Sequence, residues 1–243
     1  GCGQGGLKSF IHKFTGKSWA DIDADIGGQL DSSVLEINPL FFGDEEKEVS
    51  KELPYQKPEI ISDIPDNHWI YKRGFTKQTI LDWDCKTNNF LDFMIPAKDL
   101  ELETIGWITR RTQAIPKYLF SKGFAKSKTL FGMDKIKNID TLYLVEGALD
   151  CMWLSQHGYP SVAILGASIS RTQIELLGKL QPHEVVLALD NDDAGRKGIS
   201  KATLDIDDRF LISYLNIPKK YKDVQEIDNV DILHKVMNSK VLL

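Results

Sequence analysis

The stretch from Thr141 onward constrains the fold more than any other part of the chain. "TLYLVEG" (141–147) is an apolar run that ends in an acid and a glycine, and "ALDCMWLSQHG" after it has helical character. "SVAILGA" is a second apolar run and "SRTQIELLGKL" a second helix. "EVVLALD" makes a third strand, "AGRKGISKATLDI" a third helix and "RFLISYLNIP" a fourth strand. Strands that alternate with helices of about ten residues are joined by crossovers, which means βαβ units and a mostly parallel sheet. The expected fold class is therefore α/β, with a Rossmann-like sheet.

In such a sheet, ligands gather beyond the carboxyl ends of the strands. Two strands here end in acid. Glu146 stands at the tip of the first, with Gly147 letting the backbone turn closely. Asp190 ends the third, and Asp192 follows two residues on, where an extended chain projects both side chains the same way. Converging carboxylates suit one hard cation, most naturally Mg²⁺ or Mn²⁺. Asp150, one helical turn beyond Glu146, faces the same edge. An acid between a strand and a helix is often only an N-cap, and Asp193 reads that way for a helix starting near Ala194. Capping does not account for Glu146, since Glu is a poor cap.

Upstream, "HWIYKRGFTKQTILDWDC" predicts a short helix, a turn at Gly74 and a second helix capped near Thr76. "FLDFMIPAKD" and "ETIGWITRR" alternate as a pair of antiparallel strands. Residues 43–60 are charged, hold two prolines and lack apolar periodicity, so they read as a linker. A net charge of −5 excludes a protein that coats nucleic acid by bulk attraction. Positive charge is instead local. Between Ile105 and Lys137 lie Arg110, Arg111, Lys117, Lys122, Lys126, Lys128, Lys135 and Lys137 against Asp134 alone, interleaved with Trp107, Tyr118, Phe120, Phe124 and Phe131. Phosphates suit such cations and bases stack on such rings; solvated lysines over core aromatics are the bland alternative. Cys2, Cys85 and Cys151 are far apart and form no C-x-x-C pair, so neither a disulfide framework nor a complete zinc site is readable, and a reducing, cytoplasmic setting is expected. No apolar run of about 18 residues exists, so no membrane span is expected.

"LYLVEGALD" followed by "LALDNDDAG" resembles the TOPRIM module of primases, topoisomerases and some nucleases, a glutamate in an E-G turn plus a D-x-D pair. The likeness spans Thr141 to Pro218. "YKRGFTKQTI", "IGWITRR" and "IPKYLFSKGFAKSKTLFG" resemble, in the same order, the RNA polymerase domain of bacterial-type DNA primases, phage ones included. Phe120 stands where that family usually has Asn, and Phe131 where it has Tyr. "GCGQGGLKSFIHKF" is similar to the end of the family's N-terminal zinc ribbon, with Cys2 as the last ligand. Structural zinc takes four ligands, so zinc is expected only in a longer parent protein. The resemblance divides the chain into a ribbon end and following helix (1–42), a linker (43–60), a smaller mixed α+β basic subdomain (61–140), a TOPRIM domain (141–218) and a C-terminal helical segment (219–243).

What the resemblance implies is a DNA primase fragment. It would use NTPs to make short RNA primers on single-stranded DNA, as a DNA-directed RNA polymerase in phage DNA replication. Glu146, Asp190 and Asp192 would be catalytic and would hold the metal. Asp150 would join them, and Asp223 in "YKDVQEI" would serve a further site, where the family's second acid is replaced by Gln225. Arg73, Arg110, Lys117 and Lys126 match basic positions that hold template or triphosphate. The implied partners are the template, NTPs, the RNA primer and a replicative helicase, with no membrane; the setting would be the host cytoplasm if the chain is phage-encoded. Two alternatives stand beside this one. Another TOPRIM enzyme, a nuclease or topoisomerase, would need an attached ATPase or a nucleophilic Tyr domain, and no G-x-x-x-x-G-K-[ST] is present. A non-catalytic nucleic-acid-binding domain would use the acidic edge only to hold Mg²⁺.

Overall fold

A computed structural model describes residues 56–59, 62–112, 114–137, 139–191, 206 and 210–243. Cys2, most of the expected linker, and Asp192 with the helix expected after it lie outside these residues.

Among the described residues, two five-stranded sheets carry the fold. The first runs in chain order through β1 (Ser62–Asp63), β2 (Lys86–Thr87), β3 (Phe93–Lys98), β4 (Thr104–Arg110) and β5 (Tyr118–Phe120), with every neighbour antiparallel. The two strands expected from alternation are β3 and β4, which pair Ile95 with Ile108 and Phe93 with Arg110. One face of this pair buries Phe93, Ile95, Ala97 and Ile108 in the main core. Between β1 and β2 lie the two expected helices, Trp69–Arg73 and α1 (Lys77–Asp82). The first is a 3-10 helix, and Thr76 caps α1 by accepting from the Thr79 N–H at 3.1 Å. Gly74 turns the chain between them at φ +87, and a Cβ there would stand 2.9 Å from the Trp153 ring. Both the conformation and the space demand glycine.

The second sheet is built from β6 (Thr141–Val145), β7 (Ser161–Ala163), β8 (Glu184–Leu187), β9 (Leu211–Tyr214) and β10 (Val241–Leu242), in the order β10-β9-β8-β6-β7. The β6–β7, β6–β8 and β8–β9 pairs are parallel and β9–β10 is antiparallel. This is the mostly parallel α/β sheet expected, preceded by the smaller mixed subdomain. α2 (Ala148–Gln156) connects β6 to β7, and α3 (Arg171–Leu180) connects β7 to β8. The last segment contributes α4 (Val230–Met237) and also the strand β10, whose two exposed residues leave no periodic signal.

A single core joins the sheets. α2 buries Ala148, Leu149 and all of Cys151 to Leu154, as a helix apolar on most sides must. Phe75 meets the Trp153 ring edge-on at 5.6 Å, and Trp83 stacks on Phe131 at 5.0 Å. Phe131 also pairs with Ala163 beside β7, which links the basic stretch to the parallel sheet. Of the five aromatics in that stretch, Trp107, Phe124 and Phe131 are core residues. Tyr118 and Phe120 on β5 remain for a site.

Candidate active site

β6 and β8 are parallel neighbours, with Leu144 opposite Leu187, so their carboxyl ends lie side by side. The Ala188 N–H still donates to the Leu144 carbonyl at 2.8 Å, which carries the ladder past β8 toward Asp190. There the Asp190 N–H donates to Glu146 Oε1 at 3.3 Å. The two strand-tip acids singled out from the sequence thus meet directly.

Asp150 lies in the first turn of α2, whose N-cap is Gly147. A Cβ on Gly147 would stand 2.6 Å from Asp150 Oδ2, so glycine lets this carboxylate fold back on the strand tip. Asp150 Oδ1 is shut away from solvent without a hydrogen-bond donor. Burial, and then the charges of Asp223 and Asp190, push the Asp150 carboxyl well above the usual range, against the pull of backbone N–H groups including that of Gln225. Burial raises Asp223 too, opposed first by the Glu226 N–H and reinforced by Asp190. Crowded, partly desolvated acids of this kind are held in the charged state by a cation. The donors are all carboxylate oxygens, and one is orphaned, which fits a hard divalent ion. Among the described residues no group of three or more His, Cys, Asp or Glu is close enough to hold a metal alone. Asp192, the third expected ligand, lies outside them.

Two residues that the sequence reading passed over complete this edge. Asn191 donates from its backbone to the Lys222 carbonyl at 2.6 Å, and from Nδ2 to the Ile217 and Tyr221 carbonyls at 3.0 and 3.2 Å. It clips the 217–222 loop to the tip of β8. Lys222 Nζ then reaches Asp190 Oδ2 at 2.5 Å. Asp223 accepts from the Glu226 N–H at 3.0 Å and so caps the 3-10 turn Val224–Glu226. Gln225 is buried and donates to the Arg73 carbonyl at 3.4 Å. No sequence signal marked Asn191, because its partners are carbonyls of a loop distant in the chain, and Lys222 reads as one of several solvated lysines.

Of the expected basic residues, Arg110 ends β4 with its guanidinium 4.9 Å over the Tyr118 ring and its Nε buried without a partner. Burial raises the Tyr118 hydroxyl pKa, and Arg110, Asp150, Arg73 and Asp223 all act on it electrostatically. The phenol thus lies within electrostatic reach of two of the predicted cations and two of the acids. Lys117 and Lys126 are exposed, and the latter stands 5.0 Å over the Phe120 ring. The turn that carries Lys126 is fixed from α3. Gln173 Nε2 donates to the carbonyls of Lys126, Thr129 and Ile164, at 3.2, 2.8 and 2.9 Å.

Residues 143–228 match the Toprim-like family model. The DNA primase of Synechococcus elongatus is 36% identical over 140 residues, covering 51% of this chain and 20% of that protein. The chain thus spans about a fifth of the length of such relatives. The zinc-binding and RNA polymerase domains of the Aquifex aeolicus primase superpose with a TM-score of 0.64 at 21% identity, covering 97% of this chain and 70% of theirs. The DnaG primase catalytic domain bound to ssDNA gives 0.62 at 21% identity, covering 72% and 71%. The fold is that of a bacterial-type primase catalytic core.

Proposed function

We propose that this chain is the catalytic part of a DNA primase, which synthesises short RNA primers on single-stranded DNA. The observation that carries the reading is the direct meeting of Glu146 and Asp190 at two adjacent strand tips, in a chain that also holds the Arg110 guanidinium over Tyr118 on β5. Nucleotidyl transfer needs this pairing of unlike surfaces, since its substrate brings a triphosphate and its leaving group is pyrophosphate.

In the proposed reaction a 3′-hydroxyl attacks the α-phosphate of an incoming NTP and pyrophosphate departs. Glu146, Asp190 and Asp192 would hold the metal, Mg²⁺ or Mn²⁺, with Asp150 beside them. A divalent ion so held would lower the pKa of the attacking hydroxyl and offset charge on the leaving group. Arg110, pre-aligned over Tyr118, and Arg73 receive phosphates of the nucleotide or template, and Lys117 and Lys126 extend the cationic track along β5. Asp223 contributes to the same edge from its cap position. A structural zinc at Cys2 would need three further ligands, and a replicative helicase is the natural companion. The similarity to primases of known structure supports this reading, as does the order of motifs along the chain.

The test is primer synthesis on single-stranded DNA with labelled NTPs and Mg²⁺. Glu146→Gln and Asp190→Asn should each lower it at least about a hundredfold, the upper range for loss of a metal's outer-shell partner, with the circular dichroism spectrum unchanged. Retained synthesis in both variants would refute the assignment, and cleavage of DNA by the wild-type chain would favour a nuclease.

A further inference from the structure

The Lys222–Asp190 contact has a construction that a chance surface pair lacks. The Lys222 backbone is held on both sides, its N–H by Glu226 Oε2 at 2.7 Å and its carbonyl by the Asn191 N–H at 2.6 Å. Its ammonium lies 2.5 Å from Asp190 Oδ2, on a side chain that is 56% exposed against 15% for that of Asp190. The charge is thus delivered to a mostly buried carboxylate from a fixed backbone by a side chain that is more than half exposed. Its field also reaches Asp223, whose carboxyl it draws downward against burial. The other lysines of the loop are placed differently: Lys220 stands 4.5 Å over the Tyr221 ring, and Lys219 is exposed.

Resting on the proposed metal edge, we infer that Lys222 is a built-in counter-cation that a divalent ion must displace from Asp190, and that the displaced ammonium then serves the anionic nucleotide. An ammonium and a divalent ion repel at contact distance and compete for the same oxygens. Displacement does not remove the lysine, because Asn191 and Glu226 keep its backbone where it is. The freed ammonium is a compact, mobile point charge, the form of cation suited to a phosphate that is moving. The edge therefore holds a positive charge at each stage, first from Lys222 and then from the metal.

Mn²⁺ binding followed by electron paramagnetic resonance tests this without turnover. Lys222→Met and Lys222→Gln should bind Mn²⁺ about fivefold more tightly than wild type, from loss of the competing charge, while Lys222→Arg stays near wild type. With saturating metal, the two neutral variants should raise the KM for NTP about tenfold, with a smaller change in kcat. Unchanged or weaker Mn²⁺ affinity in both neutral variants, or an unchanged KM, would overturn the inference. Asp190→Asn separates the two levels. If it abolishes Mn²⁺ binding while the Lys222 variants show no tightening, only the role of Lys222 falls. If it binds Mn²⁺ like wild type, the metal edge and the lysine's role fall together.

Discussion

At the scale of single residues, geometry distinguishes acids that look alike in the sequence. Glu146 and Asp190 touch, Asp150 is folded back beneath them, and Asp223 is engaged as a cap. Gly147 is the hinge of this arrangement. In Gly147→Ala the new methyl would meet the Asp150 carboxylate at 2.6 Å, and that flexible group would yield. Stability should change by no more than about 1 kcal/mol, while primer synthesis falls roughly tenfold, since an ångström of misplacement at a reacting centre costs that or more. Urea unfolding beside the activity assay checks both halves of the expectation. The Asp150 acid was legible from its helical spacing to Glu146. The orphaned oxygen was not, because orphaning depends on what the 224–226 turn does.

At the scale of elements, α3 shows how a helix start positions a distant turn. Ser170 accepts from the Gln173 N–H at 3.1 Å and Gln173 Oε1 accepts from the Ser170 N–H at 2.9 Å, a capping box. Ser170→Ala should cost about 1 kcal/mol. Gln173→Ala should cost more, about 2–3 kcal/mol, because it also strands the buried carbonyls of Thr129 and Ile164. Comparing urea midpoints of the two variants orders them. β10 supplies a pH test. Burial disfavours charge on Glu184, but hydrogen bonds from Lys240, Ser213 and Thr141 outweigh it and hold its carboxyl below the usual 4.5. A depressed native pKa contributes stability above the unfolded value, and that contribution is lost as pH falls through the native one. Lys240→Met should therefore be less stable than wild type at pH 7, by about 1 kcal/mol or less given the exposure of the lysine. The gap should close below the ordinary carboxylate range, near pH 3. A gap that persists there would show the loss to be packing rather than charge.

At the scale of the whole molecule, the two sheets share one core, so they should unfold together. Phe131 is the natural probe. It is 1% exposed, stacks on Trp83 and pairs its backbone with Ala163 of the parallel sheet. Phe131→Ala should cost about 3–5 kcal/mol, and tryptophan fluorescence and far-ultraviolet circular dichroism should shift together. Separate transitions would mean that the sheets are independent.

The sequence by itself determined the classes of element and the ends that matter. Alternating apolar runs and helices can bury their faces only as a crossover sheet, and acids that interrupt such runs must lie at its carboxyl edge. That was enough to pick out Glu146, Asp190 and Asp150, and to place Gly74 and Thr76 at a turn and a cap. Tertiary structure alone decided what those acids touch. The partnership of Lys222 with Asp190, the clip made by Asn191, the bond from Gln225 to Arg73, and the assignment of Tyr118 but not Trp107 to the site all join residues from different elements. Local patterning reports which face of a strand or helix is apolar. It carries no record of which loop will be folded against which strand tip, because that choice is made by packing of the whole core.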